Sequence, residues 1–327
     1  MSRWLSILAA GLLLSACGSL AAPPPARQPV AANPDATVFV EPDDGPEPLL
    51  AELNAARKSI DLEMYLLTDK PSLSALENAE RRGVLVRVLL EQHPFGEGAG
   101  NTEAYDRLQR AGIATRWANP RFKLTHEKAA VIDAREALIL TLNLTASAFT
   151  RNREYGIIDR SPDDVAEVAS LFKADWDRGV YAPSRPELVV SPENSRAKLL
   201  ALIGQATSHL DLESEEVQDQ GLEQALTASA QRGVSVRVVL SPPQSGADTN
   251  AAGERRLADG GVQLHLMRKP YVHAKIVVAD GQTVFAGSEN ISSQSLDANR
   301  ELGLFLSQPA SVTRVAATFE QDWGSHL

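Results

Sequence analysis

Ser59-Ile60-Asp61-Leu62-Glu63 returns as His209-Leu210-Asp211-Leu212-Glu213, and Arg82-Gly83-Val84-Leu85-Val86-Arg87-Val88 returns as Arg232-Gly233-Val234-Ser235-Val236-Arg237-Val238, both 150 residues later. Further along, His126 matches His273, Asn143 matches Asn290, Glu154 matches Glu301 and Trp176 matches Trp323, each 147 residues apart. A shared order of blocks with a net gap of three residues is the mark of a tandem duplication.

Within a copy, helical and strand patterns alternate. Leu49, Leu50, Leu53 and Ala56 have helical spacing, and Ile60, Leu62, Met64 and Leu66 alternate as in a strand. Leu73, Leu76 and Ala79 return to helix before Gly83 stops it. Val84–Leu90 then reads as a buried strand, Thr102–Arg110 as a helix ended by Gly112, Val131–Leu142 and Tyr155–Ile158 as strands, and Pro162–Trp176 as a last helix. This alternation predicts an α/β fold: two tandem α/β/α repeats, 49–180 and 181–327, each with a mostly parallel sheet covered on both faces. A pseudo-twofold axis would relate them, making the chain a monomer with an internal pseudo-dimer.

Arg3 precedes an apolar run, Trp4–Leu14, too short to span a bilayer, and Leu14-Ser15-Ala16-Cys17 follows. Residues 1–17 read as an export signal that resembles those of bacterial lipoproteins, with Cys17 as the lipidation site. Cys17 is the sole cysteine of 327 residues, which excludes an intrachain disulfide framework and a Cys-rich zinc site. Residues 18–48, rich in Pro and Ala and then acidic, read as a linker holding the body off a membrane. The expected location is therefore the cell envelope, exported and lipid-anchored. A net charge of −10 disfavours nucleic acid as a partner without excluding it.

His126-Glu127-Lys128 is followed by Asp133, and His273-Ala274-Lys275 by Asp280 at the same spacing. Two residues apart on a strand, an imidazole and an ammonium project from one face, a pair suited to an anionic ester. Taken singly, each histidine could be a packed core residue; the duplicate argues for catalysis.

On these motifs the body, from about Leu49 to Trp323, resembles the phospholipase D superfamily of enzymes with two His-Lys-Asp motifs. The signature continues as Gly287-Ser288-Glu289-Asn290 in the second copy, whereas the first reads Leu140-Thr141-Leu142-Asn143. Leucine in place of glycine would hinder close approach of a ligand to the backbone. The resemblance implies attack on phosphorus by one imidazole, with His126 the nucleophile, and proton transfer by the other, His273. Lys128, Lys275, Asn143 and Asn290, with Thr141 and Ser288, would hold the nonbridging oxygens, so that neither metal nor other cofactor is needed. Glu154 and Glu301 would each orient the histidine of its own motif, and Asp133 and Asp280 would be structural.

His209, His265 and His326 lack a duplicated partner and read as surface or packing residues, and Trp117 and Trp176 as core aromatics; His93, after a strand, could rim the site. The expected substrate is a glycerophospholipid at a membrane surface, its headgroup hydrolysed by a phospholipase D through a phosphohistidine. The alternatives are phosphatidyl transfer of the cardiolipin synthase kind, an exported metal-independent nuclease, and a non-catalytic phosphate-binding lipoprotein.

Overall fold

The computed structural model describes Met1, residues 30–94 and residues 100–325. Residues 2–29, among them Cys17, the proposed lipidation site, with residues 95–99 and 326–327, which include His326, lie outside the described residues.

The first copy runs β1 (Thr37–Glu41), α1 (Glu47–Ala55), β2 (Ser59–Met64), α2 (Lys70–Arg81), β3 (Leu85–Leu90), α3 (Thr102–Arg110), β4 (Ala114–Trp117), β5 (Lys128–Ile132), β6 (Glu136–Leu140), α4 (Ala146–Thr150), β7 (Asn152–Asp159) and α5 (Pro162–Trp176). The second runs β8 (Leu188–Ser191), α6 (Ser195–Gln205), β9 (His209–Ser214), α7 (Gln220–Gln231), β10 (Ser235–Leu240), α8 (Ala251–Asp259), β11 (Gln263–Leu266), β12 (Tyr271–Val272), β13 (Lys275–Ala279), β14 (Thr283–Gly287), α9 (Ser293–Asp297), β15 (Glu301–Leu306) and α10 (Pro309–Trp323). The sheets have matching orders, β1-β7-β6-β5-β2-β3-β4 and β8-β15-β14-β13-β9-β10-β11.

Local chemistry explains the shared units. Asp69 caps α2 by accepting from the Ser72 amide at 2.8 Å, and Asp219 caps α7 by accepting from Leu222 at 3.0 Å. Gly83 and Gly233, at φ 86° and 90°, then turn each chain into β3 and β10.

Two expectations are corrected. The sheets are mixed: β2–β3 and β3–β4, with β9–β10 and β10–β11, run parallel, as does the short β12 against β7, and the other pairings are antiparallel. β5 and β6 pair antiparallel across a turn at Asp133 and Ala134, with φ 55° and 52°, which leaves no room for a crossover helix. Nor is 18–48 a tether throughout. Its segment Thr37–Glu41 pairs antiparallel with β7, Val40 opposite Tyr155, and is equivalent to β8, so the repeat opens near Thr37 rather than Leu49. Two acids of this segment are ion-paired with the body, Asp43 with Arg153 at 3.0 Å and Asp44 with Arg314 at 3.1 Å.

Helices cover both faces of each sheet. Leu49 and Leu53 of α1, Leu73 and Leu76 of α2, and Leu108 of α3 pack on one face of the first sheet. On the other face, Val165, Val168 and Leu171 of α5 share a central core with Val312, Val315 and Phe319 of α10, which holds the two sheets together. Trp176 stacks on Phe172 of α5 and Trp323 on Phe319 of α10, the first under Arg87 and the second under Arg237. No helix among the described residues is long and apolar enough to cross a membrane.

Candidate active site

Lys128 opens β5 opposite Met64 at the end of β2, and Lys275 opens β13 opposite Ser214 at the end of β9. Both His-x-Lys motifs therefore lie at the carboxyl ends of the parallel strands, where open α/β sheets bind ligands. The chain leading into each histidine is stitched to the other copy. Tyr271 and Val272 of β12 pair with Asn152 and Arg153 of β7, and Thr125 bridges to Arg300. The His126 amide donates to the Arg300 carbonyl at 2.9 Å, and that of His273 to the Arg153 carbonyl at 3.3 Å.

That stitching crosses the carboxylates. Nδ1 of His126 lies 2.8 Å from Oε2 of Glu301, and Nδ1 of His273 lies 2.7 Å from Oε1 of Glu154. Each glutamate serves the histidine of the opposite copy, not its own as the motif spacing suggested. Glu154 also accepts from Thr141 Oγ1 at 2.7 Å and Asn152 Nδ2 at 3.3 Å; Glu301 accepts from Ser295 Oγ at 2.7 Å and Asn299 Nδ2 at 3.0 Å. Burial opposes both charges, but the partner imidazole and neighbouring lysines and hydroxyl or amide donors hold both carboxyls below their ordinary value. Burial lowers the His126 pKa against the pull of Glu301. With both Nδ1 atoms engaged, the Nε2 atoms are left for chemistry.

The lysines differ. Lys128 Nζ donates to the His126 carbonyl at 2.5 Å and lies 5.0 Å from the Tyr65 ring centroid. Burial, reinforced by Lys275, pushes its pKa down to about 7 against the pull of Glu301. Lys275 Nζ donates to the His273 carbonyl at 2.5 Å and to Oε2 of Glu215 at 2.7 Å. Glu215 was missed in the sequence. It stands 150 residues after Tyr65, whose ring meets His126 edge-on with centroids 4.6 Å apart, and its Oε2 lies 3.4 Å from His273 Nε2. Burial opposes its charge, yet His273 and Lys275 hold Glu215 far below the ordinary carboxylate range. The position-by-position mismatch, tyrosine against glutamate, was the signal available.

Asn143 and Asn290 keep side-chain carbonyls without a hydrogen-bond partner among the described residues, and Asn143 lines, with His273 and Glu154, a cavity of about 820 Å³. Thr141 and Ser288, expected on the phosphate, are instead spent inside the protein. Thr141 Oγ1 donates to Glu154 and accepts from the Tyr155 amide at 2.9 Å, while Ser288 Oγ accepts from the Leu302 amide at 3.0 Å. Asp133 accepts from the amides of Arg57, Lys58 and Ser59, and Asp280 from those of Thr207, Ser208 and His209, tying the hairpin to the turn before β2 or β9.

The glycine in the second motif has a packing reason. A Cβ on Gly287 would sit 2.4 Å from Gly303 Cα and 2.5 Å from Glu289 Oε2. In the first copy Leu140 and Leu142 fill the corresponding core positions. The leucine thus replaces space used by a buried glutamate, not an approach path for phosphate.

Two arginines also escaped notice. Arg153 binds Asp322 through Nε at 2.5 Å and Nη2 at 2.9 Å; Arg300 pairs with Asp175 at 2.8 Å and Glu193 at 2.7 Å. The buried Arg153–Asp322 and Arg300–Asp175 pairs join the copies directly behind the glutamates, and the repeated Asn152-Arg153-Glu154 and Asn299-Arg300-Glu301 was their visible signal. Glu63, Glu127 and Asp175, whose carboxylate oxygens come within 4.8 Å of one another, are the described residues that could hold a cation, although Arg300 already faces them. Burial, reinforced by Asp175, pushes Glu127 up to about 8. Of the other histidines, His265 lies 5.8 Å from Trp323 and His209 3.0 Å from Ser208 Oγ; His93 is exposed and lines none of the described cavities. Trp117 stacks on Tyr105 at 4.0 Å.

Two mixed sheets in tandem, with paired His-Lys motifs meeting opposite-copy glutamates, define a phospholipase D-type fold and site. The chain belongs to the phospholipase D superfamily: the family model described as "Cardiolipin synthase, PLD-like domain" matches residues 49–176 and 199–323. The cardiolipin synthase of Oceanobacillus iheyensis is 22% identical over 89% of this chain and 69% of its own length. Cardiolipin synthase 2 of Bacillus cereus is 22% identical over 84% of this chain, which spans 62% of that relative. Among solved structures, polyphosphate kinase from Porphyromonas gingivalis superposes with a TM-score of 0.68 at 18% identity, covering 89% of this chain and 50% of that one. Phosphatidylserine synthase of Haemophilus influenzae Rd KW20 superposes at 0.67 and 12% identity, covering 89% and 86%. These likenesses establish the fold.

Proposed function

We propose that the protein is a phosphatidyltransferase of the cardiolipin synthase kind, passing a phosphatidyl group from one alcohol to another. Headgroup hydrolysis, the leading expectation from sequence, yields to transfer because the named relatives are cardiolipin synthases. The observation that carries the reading is the cavity of about 820 Å³ opening onto His273, which has room for an alcohol acceptor where hydrolysis needs only a water molecule.

In the proposed cycle, Nε2 of His126 attacks phosphorus and the bond to the leaving alcohol breaks as His273 gives that oxygen its proton. The incoming alcohol then loses its proton to His273, its oxygen bonds to phosphorus, and the phosphorus–nitrogen bond breaks. Lys128, Lys275, Asn143 and Asn290 hold the nonbridging oxygens as charge develops. Glu301 and Glu154 fix which ring nitrogen reacts.

The test is incubation of the full chain with phosphatidylglycerol vesicles. Cardiolipin with an equimolar release of glycerol is expected. Phosphatidic acid as the sole product would return the reading to hydrolysis, and cleavage of plasmid DNA with lipid untouched would replace it by a nuclease. Export and a diacylglycerol anchor on Cys17 are part of the same proposal and would place the site at the envelope membrane; Cys17→Ser should release the protein from membrane fractions.

A further inference from the structure

Because the chain holds one unit twice, each copy serves as an internal control for the other. The cavity on His273 has a pseudo-equivalent, a shallower depression of about 540 Å³ bounded by Arg121, Phe122, Lys123, Pro192, Asp297 and Ala298. At the 147-residue offset, Arg121 corresponds to Arg268, Phe122 to Lys269, Asp297 to Thr150 and Ala298 to Arg151.

In the depression Arg121 and Asp297 are already engaged, and among its described lining residues Lys123 is the one cation without an ion pair. Arg121 donates to the Gly179 carbonyl at 3.1 Å and lies 3.7 Å from Glu193, Asp297 pairs with Arg196 at 2.6 Å, and Phe122 is buried 4.2 Å beneath the Arg300 guanidinium. The cavity differs at each of these points. Arg151, Arg268 and Lys269 are exposed along its lining and form no ion pair among the described residues. The one acid lining it, Glu154, is committed to His273.

Three unengaged cations beside the proton-donating imidazole exceed what one phosphodiester requires, since Lys128 and Lys275 already serve that group. We propose that this mouth binds a second phosphate, carried by the alcohol that leaves or enters at His273. Two guanidiniums and an ammonium suit such a group, through forked hydrogen bonds and a point charge. The ligand class is then an alcohol bearing its own phosphodiester, such as the headgroup glycerol of an anionic glycerophospholipid. This deepens the transfer reading and rests on it for the identity of the alcohol, though not for the presence of the anion site.

The test separates the two. In the full-length His126→Asn chain, calorimetry compares glycerophosphoglycerol, with one phosphodiester, against bis(glycerophospho)glycerol, with two. The second should bind about tenfold tighter, and the preference should vanish when Arg151→Ala and Lys269→Phe copy the other mouth. In the active enzyme the same pair should lower the ratio of transfer to phosphatidylglycerol over transfer to free glycerol about tenfold. Equal binding of the two probes, or a preference that survives the substitutions, overturns the proposal; Arg268→Gln with Lys269→Gln repeats the measurement if the first pair misfolds. A binding preference without any lipid transfer keeps the anion site and removes the transferase reading.

Discussion

Glu301 lies 2.8 Å from Nδ1 of His126, although 175 residues separate them and they belong to different copies. Its counterpart, Glu154, meets His273 at 2.7 Å. Glu301→Gln should therefore disable His126 and leave the His273–Glu154 pair in place. A fall in kcat of about 10²–10⁴ on a chromogenic phosphodiester is expected, as when a triad carboxylate is neutralised. Single-turnover trapping of phosphoenzyme should show its formation slowed; normal formation with slow breakdown would mean that Glu301 supports the other ring.

The pH profile follows from two buried groups. His126 must be neutral to attack, and burial sets its titration below the ordinary 6.5; Lys128 must be charged, and loses its proton at about 7. kcat/KM should therefore rise with pH below 6.5 and fall as pH climbs through about 7. Lys128→Arg keeps its charge at every working pH, so the alkaline fall should disappear while the maximum drops. An alkaline limb at the same pH in that variant would assign it elsewhere.

Glu215 places a carboxylate 2.7 Å from Lys275, on the ammonium that is to hold phosphate. Its oxygen also lies 3.4 Å from His273 Nε2, so its charge would repel an anion held between that ring and Lys275. Removing that charge with Glu215→Gln should strengthen inhibition by orthovanadate by about tenfold, a modest share of the charge repulsion possible at this range. Unchanged inhibition would show that the carboxylate lies out of the anion's way.

Leu140→Ala should destabilise the protein by about 2–5 kcal/mol, because the side chain is 1% exposed within the first copy's core. Chemical denaturation measures the loss. The KM for a small phosphodiester should stay near its original value, and a large change would restore the reading in which this position shapes phosphate binding.

The duplication, the helices and both His-Lys motifs were legible because they depend on local spacing, which a repeated chain states twice. Thr102–Arg110 and Pro162–Trp176 are helices with the bounds their patterns suggest. Strand direction was less legible: apolar strands such as Lys128–Ile132 and Glu136–Leu140 look alike in parallel and antiparallel sheets, and the hairpin between them turned on two residues with positive φ. β1 hid among prolines and acids whose partners, Arg153 and Arg314, lie more than a hundred residues away. The crossed glutamates were hidden for a related reason. Spacing within one copy shows which acid follows which histidine, but the meeting of β12 with β7 is a tertiary event that no single motif encodes.

Asn152-Arg153-Glu154 and Asn299-Arg300-Glu301 steady the opposite copy's reactive ring and bind its last helix. Once two such copies share a chain, their histories become entangled: a change in either triplet is felt by the sibling's chemistry, so neither can decay while the other goes on working. Elsewhere the siblings are at liberty to specialise, and Tyr65 in one where the other has Glu215 shows where they have parted company.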